Sequence, residues 1–325
     1  MKRIIILLPI LFLCCKPNSS LVSNTVQDIS YKSIDIQYLV KENEVAAMLK
    51  YLSSDELEGR ETGTKGMEKA AVYLEEFLKS NNVKPYFYSY RDSLANFKGT
   101  AYNIVGYIEG SDPILKKEFL LISAHYDHIG LAKVGVNGDI INNGANDDAS
   151  GTTAVAEMAK YFSAIKSNKR SVLFVFFVGE EKGLLGSKHL AKKLHSQNFN
   201  LYAQFNIEMI GVPMKRDYLA YITGFDKTNM ASKINEYTGK KTIGFLPKEA
   251  ELRLFNRSDN YSFYDVFHVP CQSVSTFDFE NFDYYHHVSD EFRAMDMSHM
   301  TSFIQEMLPA VTEMANTASR EIHMN

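Results

Sequence analysis

The chain has 325 residues, 45% hydrophobic and 23% charged, with a formal net charge of -4. That profile supports a real core and one large folded domain rather than a disordered or fibrous chain. The acidic balance, with no basic cluster interleaved with aromatics, argues against nucleic acid or an anionic membrane surface as the main partner.

In chain order the first feature is "MKRIIILLPILFLCCKPNSS". Lys2 and Arg3 precede an apolar run from Ile4 to Leu13, which is too short to span a bilayer. A charged start, a short greasy middle and an abrupt polar exit describe a secretory signal. Cysteine at the expected cleavage point resembles a bacterial lipoprotein signal over residues 1–15, with lipid on Cys15 or Cys14. An ordinary signal peptide or a short membrane anchor is the competing reading. The expectation is an exported, periplasmic or cell-surface lipoprotein. The third cysteine, Cys271, stands alone, so no internal disulfide framework is expected. It reads as a small buried residue at a strand entry.

Residues 16–40 are polar and weakly patterned and read as a tether; the folded domain is expected over 41–320. Helices are expected over "VAAMLKYLSS" and "MEKAAVYLEEFLKSN", separated by a Gly-rich loop, "SSDELEGRETGTKG". "AYNIVGYIEG" and "EFLLISAHYD" read as strands. "ASGTTAVAEMAKYFSAI" reads as a helix with Ala154, Val155, Met158, Ala159 and Phe162 on one face. Next come a strand in "VLFVFFV", a helix over "GLLGSKHLAKKLH", strands in "LYAQFNIEMIG" and "DYLAYITG", a helix in "FDKTNMASKINEYTG" and a strand in "CQSVSTFDF". A last helix, "SHMTSFIQEMLPAVTEMANT", should kink or break at Pro309. Apolar strands alternating with amphipathic helices predict an α/β fold: a three-layer α/β/α sandwich with a largely parallel mixed sheet. In such a sheet the site lies beyond the carboxyl ends of the strands.

The residues just past each strand are therefore informative. After "FLLISA" come His125, Tyr126, Asp127 and His128; before the strong helix stand Asp147 and Asp148. After "VLFVFFVG" come Glu180 and Glu181; Glu208 sits inside "FNIEMIG"; "DYYHHVSDEF" brings His286, His287 and Asp290. Singly these are ordinary features: an aspartate before a helix is usually an N-cap, a glutamate pair a solvated helix start. Glu208 is harder to dismiss, since a carboxylate among apolar residues must be paired, protonated or metal-bound if buried. Together, imidazoles and carboxylates at one edge form a ligand set for hydrolytic zinc, and a shared aspartate suits two ions.

The stretches "SAHYDHIG", "GANDDASGTTAVAEMA", "FVFFVGEEKGLLGSKHL", "FNIEMIG" and "YHHVSDEF" resemble metallopeptidase family 28, the two-zinc aminopeptidases and their relatives. The resemblance implies a zinc-exopeptidase-like catalytic domain with two Zn2+ ions. His125 and Glu208 would hold one, Glu181 and His286 the other, with Asp147 bridging. Glu180 would be the general base and Tyr285 an oxyanion stabiliser. Asp127 would orient His125, Asp290 would orient His286, and the peptide between Asp147 and Asp148 would be cis. Two departures stand out: the family usually has Asp where Glu208 stands, and His287 is a rival ligand to His286. The implied activity is aminopeptidase hydrolysis of peptides with a free amino terminus. Another exopeptidase, a glutaminyl-peptide cyclotransferase, or an inactive binding module on the same fold are the alternatives.

Overall fold

A computed structural model describes residues 37–325; the signal-type segment with Cys14 and Cys15, and nearly all of the tether, lie outside the described residues. The strands are β1 (Lys84–Pro85), β2 (Arg91–Ser93), β3 (Tyr102–Ile108), β4 (Phe119–His125), β5 (Leu131–Val136) and β6 (Asp139–Ile141). They continue with β7 (Ser171–Phe177), β8 (Leu201–Glu208), β9 (Ala220–Ile222), β10 (Ile243–Gly244) and β11 (Cys271–Ser275). The helices are α1 (Glu42–Leu52), α2 (Lys65–Ser80), α3 (Gly151–Ile165), α4 (Leu185–Ser196), α5 (Met230–Thr238), α6 (Pro247–Leu252), α7 (Asn260–Phe267) and α8 (Met297–Asn316).

One mixed sheet runs in the order β1-β3-β7-β4-β8-β11-β9-β10, with β2 also paired to β3. Its centre is parallel: β7 with β4, β4 with β8, β8 with β11. Antiparallel pairs flank it, β3 on β7 and β9 on β11. The central strands are apolar at consecutive positions because both faces are covered. Phe174 and Phe176 join one core, while Leu173, Val175 and Phe177 join the other. The first core takes in residues of α1, α2, α3, α5 and α8, the second those of α4 and α7. This is the expected three-layer α/β/α arrangement. All five residues named on the apolar face of α3 are fully buried.

Four details differ from the expectation or go beyond it. Helix α8 runs unbroken through Pro309, because Met307, Leu308, Ala310, Val311 and Met314 around it are all fully buried and hold it in register. The Gly-rich loop after α1 contains a 3₁₀ turn, Asp55–Arg60. Strands β5 and β6 form a separate hairpin around Asn137 and Gly138, both at positive φ (53° and 86°). Helices α6 and α7 and the short strands β1, β2 and β10 have no counterpart among the expected elements. Cys271 is buried, as expected of a packing residue.

The parallel centre brings the carboxyl ends of β4, β7, β8 and β11 to one edge. Chemistry-bearing residues are carried there by the strand ends and by the turn that opens α3.

Candidate metal centre

His125 is the last residue of β4 and is buried. Its Nδ1 meets the main-chain carbonyl of Asp127 at 3.1 Å. That contact makes Nδ1 the protonated nitrogen and leaves the Nε2 lone pair facing Asp147 Oδ1 (3.2 Å) and Glu208 Oε2 (3.6 Å). Glu208 ends β8, and its other oxygen accepts a hydrogen bond from Ser258 Oγ at 2.5 Å. The methylene that distinguishes it from aspartate is thus accommodated, with one oxygen tied to Ser258 and the other turned to His125.

Asp147 and Asp148 lie in the turn that opens α3, and the peptide between them is cis. Their carboxylates part company. Asp148 Oδ1 accepts from the amides of Gly151 (3.0 Å) and Met209 (2.9 Å), and Oδ2 from that of His125 (3.4 Å). Asp147 instead divides its oxygens between two donor groups. Oδ1 faces His125, while Oδ2 lies 3.2 Å from His286 Nε2. Glu181 Oε1 is also 3.2 Å from His286 Nε2, and 2.9 Å from His128 Nδ1.

Two sets of side chains that could each hold a metal ion result, His125–Asp147–Glu208 and His128–Asp147–Glu181, with donor atoms in each set within 4.8 Å of one another. The donors are imidazole nitrogens and carboxylate oxygens without thiolate, which suits zinc in a hydrolytic site. Asp147, Glu181 and Glu208 converge on a largely buried space, an arrangement that cations would relieve.

Charge around the glutamate pair is uneven. Burial lifts the Glu180 carboxyl well above its ordinary range; His125 opposes this, while Glu208, Asp259 and Glu181 add to it. Burial and Asp147 push Glu181 the same way, yet contacts with His128 and His286 bring it below its usual value. Burial works against charge on His286, but Asp147 and Glu181 push its pKa up to about 10. Gly179, at φ 73°, turns the chain out of β7 immediately before the pair. The Glu180 carboxylate takes no hydrogen bond among the described residues and lines an open cleft. Its amide is anchored to Asp127 Oδ1 at 3.3 Å, and Thr62 donates to the other Asp127 oxygen at 2.7 Å.

Asp127 and Asp290 do their work differently from expectation. Asp127 meets the His125 ring through its main-chain carbonyl, its carboxylate being 3.7 Å away and engaged elsewhere. Asp290 does not bond His286; it accepts from the amides of Asn146 (2.7 Å) and Asp147 (3.1 Å) and so holds the turn that presents Asp147. His287 stays out of the centre, its Nδ1 accepting from the Ser289 amide at 3.0 Å. His286 is in the left-handed region, φ 55°, and its ring stacks on Tyr285 with centroids 4.0 Å apart. Tyr285 in turn stacks on Phe277 and lines the cleft beside Glu180 and Glu208.

Two residues, Arg60 and Asp259, escape a reading of the sequence, and a third, His128, is noticed there without being given a role. Arg60 is fully buried and donates to the carbonyls of Leu52, Tyr126 (2.8 Å), Asn143 (2.6 Å) and Gly144 (2.9 Å). It ties the loop after β4 to the turn before α3. Asp259 is buried with neither oxygen hydrogen-bonded, and burial pushes its pKa up to about 7. His128 joins the Glu181 group, and the signal for it is "HYDH", which puts a second imidazole on that loop.

The chain matches the model of peptidase family M28 over residues 103–311. A probable zinc metalloprotease of Pyrenophora tritici-repentis is 38% identical over 109 residues, which are 33% of this chain and 24% of that protein. The chain thus spans about a quarter of the length of that relative. Among solved structures, the Legionella pneumophila LapA aminopeptidase superposes with a TM-score of 0.68 at 18% identity, over 90% of this chain and 76% of that one. The glutaminyl cyclase of Fimbriiglobus ruber does so with a TM-score of 0.67 at 16% identity, over 86% of this chain and 97% of that one. These two structures share the fold. With the family model spanning well over half of the sequence, the chain belongs to peptidase family M28.

Proposed function

We propose that the chain is a zinc-dependent aminopeptidase that hydrolyses N-terminal residues from peptides. The observation that carries this reading is the sharing of Asp147 between two donor groups, one carboxylate oxygen to each, beside a glutamate that faces the cleft unpaired. Two Zn2+ ions would be held, one by His125 and Glu208, the other by Glu181 and His286, with Asp147 common to both. Zinc, when bound, supplies Lewis acidity to a carbonyl and lowers the pKa of water towards neutrality.

The rest falls to the protein's own groups. Glu180 takes a proton from the attacking water and returns it to the leaving amine, a role suited to a carboxyl whose affinity for protons is raised by burial. Tyr285, on the cleft wall, donates to the developing oxyanion. Glu208 offers negative charge to the substrate's free amino group. The cleft walls include Met209, Tyr221, Leu254, Phe277 and Phe279, which favour an apolar first side chain.

Incubating the zinc-loaded protein with a panel of aminoacyl anilides and with an N-terminal glutamine peptide tests the reading. Release of the anilide, most rapid for apolar residues, is the expected result. Cyclisation of the glutamine peptide without anilide hydrolysis would make the chain a cyclotransferase, and neither reaction would make it a binding module.

The lipoprotein reading rests on residues 1–15 alone. No helix among the described residues is long and apolar enough to cross a membrane. Mass spectrometry of the mature N-terminus is expected to find acylated Cys15 or Cys14, and an unmodified chain starting beyond Cys15 would end the idea.

A further inference from the structure

The proposed reaction has no use for His128, yet its ring points into the centre. The side chain is fully buried. Neither ring nitrogen makes a hydrogen bond, even though Nδ1 lies 2.9 Å from Glu181 Oε1. An imidazole shut away from water with both nitrogens unpaired has lost its solvent partners and gained none. The ring is also firmly enclosed. Gly144, in the left-handed region at φ 56°, passes so close that a Cβ there would lie 2.6 Å from His128 Cγ and Cδ2. The His128 amide donates to the carbonyl of Arg60 at 3.3 Å, which pins the backbone from the other direction.

The distances around Nδ1 indicate what the ring is for. His128 Nδ1 is 2.9 Å from Glu181 Oε1 and 3.8 Å from Asp147 Oδ2. His286 Nε2 is 3.2 Å from each of the same two oxygens. Four ligands placed tetrahedrally around zinc at about 2.0–2.1 Å stand roughly 3.3 Å from one another. The four measured separations bracket that value. His128 thus occupies the position of a fourth ligand, on the side of the group away from the cleft: His286 and Asp147 line the cleft, and His128 and Glu181 do not.

We propose that His128 is a direct ligand, through Nδ1, of the metal ion held by Asp147, Glu181 and His286. The inference rests on the two-metal reading and deepens it by making the two sites unequal. With His286 added, the His128 site would have four protein ligands and no open position, whereas the His125–Asp147–Glu208 site would have three and open on the cleft. Closed four-ligand sites are typical of structural zinc, and three-ligand sites of catalytic zinc. The first zinc ion taken up should therefore go to the His128 site, and the second should be the more readily exchanged.

The test is a zinc titration of the metal-free protein against a competing chromogenic chelator, on wild type, His128→Ala and His128→Phe. The phenylalanine variant keeps a ring in the enclosure. Wild type should take up two ions with distinct affinities. Both variants should weaken the tighter site by at least 10–100-fold, the loss already seen when a mere supporting residue is removed. Both should stay folded without metal, with the melting temperature lowered only by the repacking around a fully buried ring. A crystal structure of the zinc-loaded wild type should put one ion about 2.0–2.1 Å from His128 Nδ1. Undiminished zinc affinity in either folded variant, or an ion beyond 3 Å from Nδ1 with that nitrogen donating to Glu181, would overturn the proposal while leaving the two-metal reading intact. A wild-type protein that takes up no zinc would instead overturn that reading first.

Discussion

Two acidic pairs frame the centre, and they divide their labour differently. In Asp147–Asp148 one carboxylate serves the scaffold: Asp148 is taken up by three main-chain amides, which join the ends of β4 and β8 to the start of α3. Only Asp147 faces the donors. In Glu180–Glu181 neither side chain is spent on the main chain. Glu181 faces His128 and His286, and Glu180 faces the cleft. Adjacent carboxylates that both stay free repel each other, and the raised Glu180 pKa carries that repulsion among its causes. The contrast teaches that doubled acidic residues at a strand end need not share a role. What each oxygen meets decides whether removing its charge harms the fold or the chemistry.

Substitutions at the two pairs can break this distinction. The largest effect is expected for Glu180→Gln, with turnover down by roughly 10²–10⁴-fold and zinc content unchanged, because the carboxylate touches no other donor. Steady-state kinetics with metal analysis would check it. Glu181→Gln should weaken one zinc site by on the order of 10–100-fold or more, and excess zinc should restore part of the activity. If Glu180→Gln loses metal while Glu181→Gln keeps both ions, the two glutamates have exchanged roles. Asp148→Asn should cost about 1–3 kcal/mol of stability, because an amide cannot serve three main-chain donors, with zinc stoichiometry intact. Denaturant unfolding of the metal-free protein would measure it. The smallest effect belongs to Thr62→Val, which removes one hydrogen bond to the carboxylate that anchors the Glu180 amide, worth about 0.5–1.5 kcal/mol. A stability loss of that size with little change in turnover is expected, and a fall in turnover as deep as that of Glu180→Gln would show that Asp127 does more than anchor.

Much of the fold and the centre is legible in the sequence for a simple reason. Central strands declare themselves by continuous apolar runs, and in a parallel sheet the residues just beyond such runs share one edge. His125 and Glu208 end such strands and Glu181 follows one closely, while Asp147 reaches the edge from the turn that opens α3 and His286 from the loop after β11. Other contributions are not readable because they depend on irregular backbone. The spacing between His286 and Asp290 suggests partnership, but the left-handed turn at His286 sends the ring and the Asp290 carboxylate to different targets. Arg60, in "LEGRE", has the look of a solvated loop charge; only the 3₁₀ turn and the folded loops around it reveal a buried guanidinium. The β5–β6 hairpin does carry a signal, Asn-Gly between alternating residues, which is a favoured two-residue turn. Helix α7 is obscured by its own aromatic richness, "NYSFYDVF", which reads equally well as a strand.

Arg60 has a consequence for modularity. It lies well upstream of residues 103–311, the stretch that matches the family, yet its side chain holds the carbonyls of Tyr126, Asn143 and Gly144 inside that stretch. A fragment beginning at residue 103 would carry every proposed donor yet lose the guanidinium that holds the carbonyls of Tyr126 and Asn143, together with the core residues of α1 and α2. The portable unit is therefore longer than the segment that bears the ligands. A 103–325 fragment that folded and bound zinc as tightly as the whole chain would show the opposite.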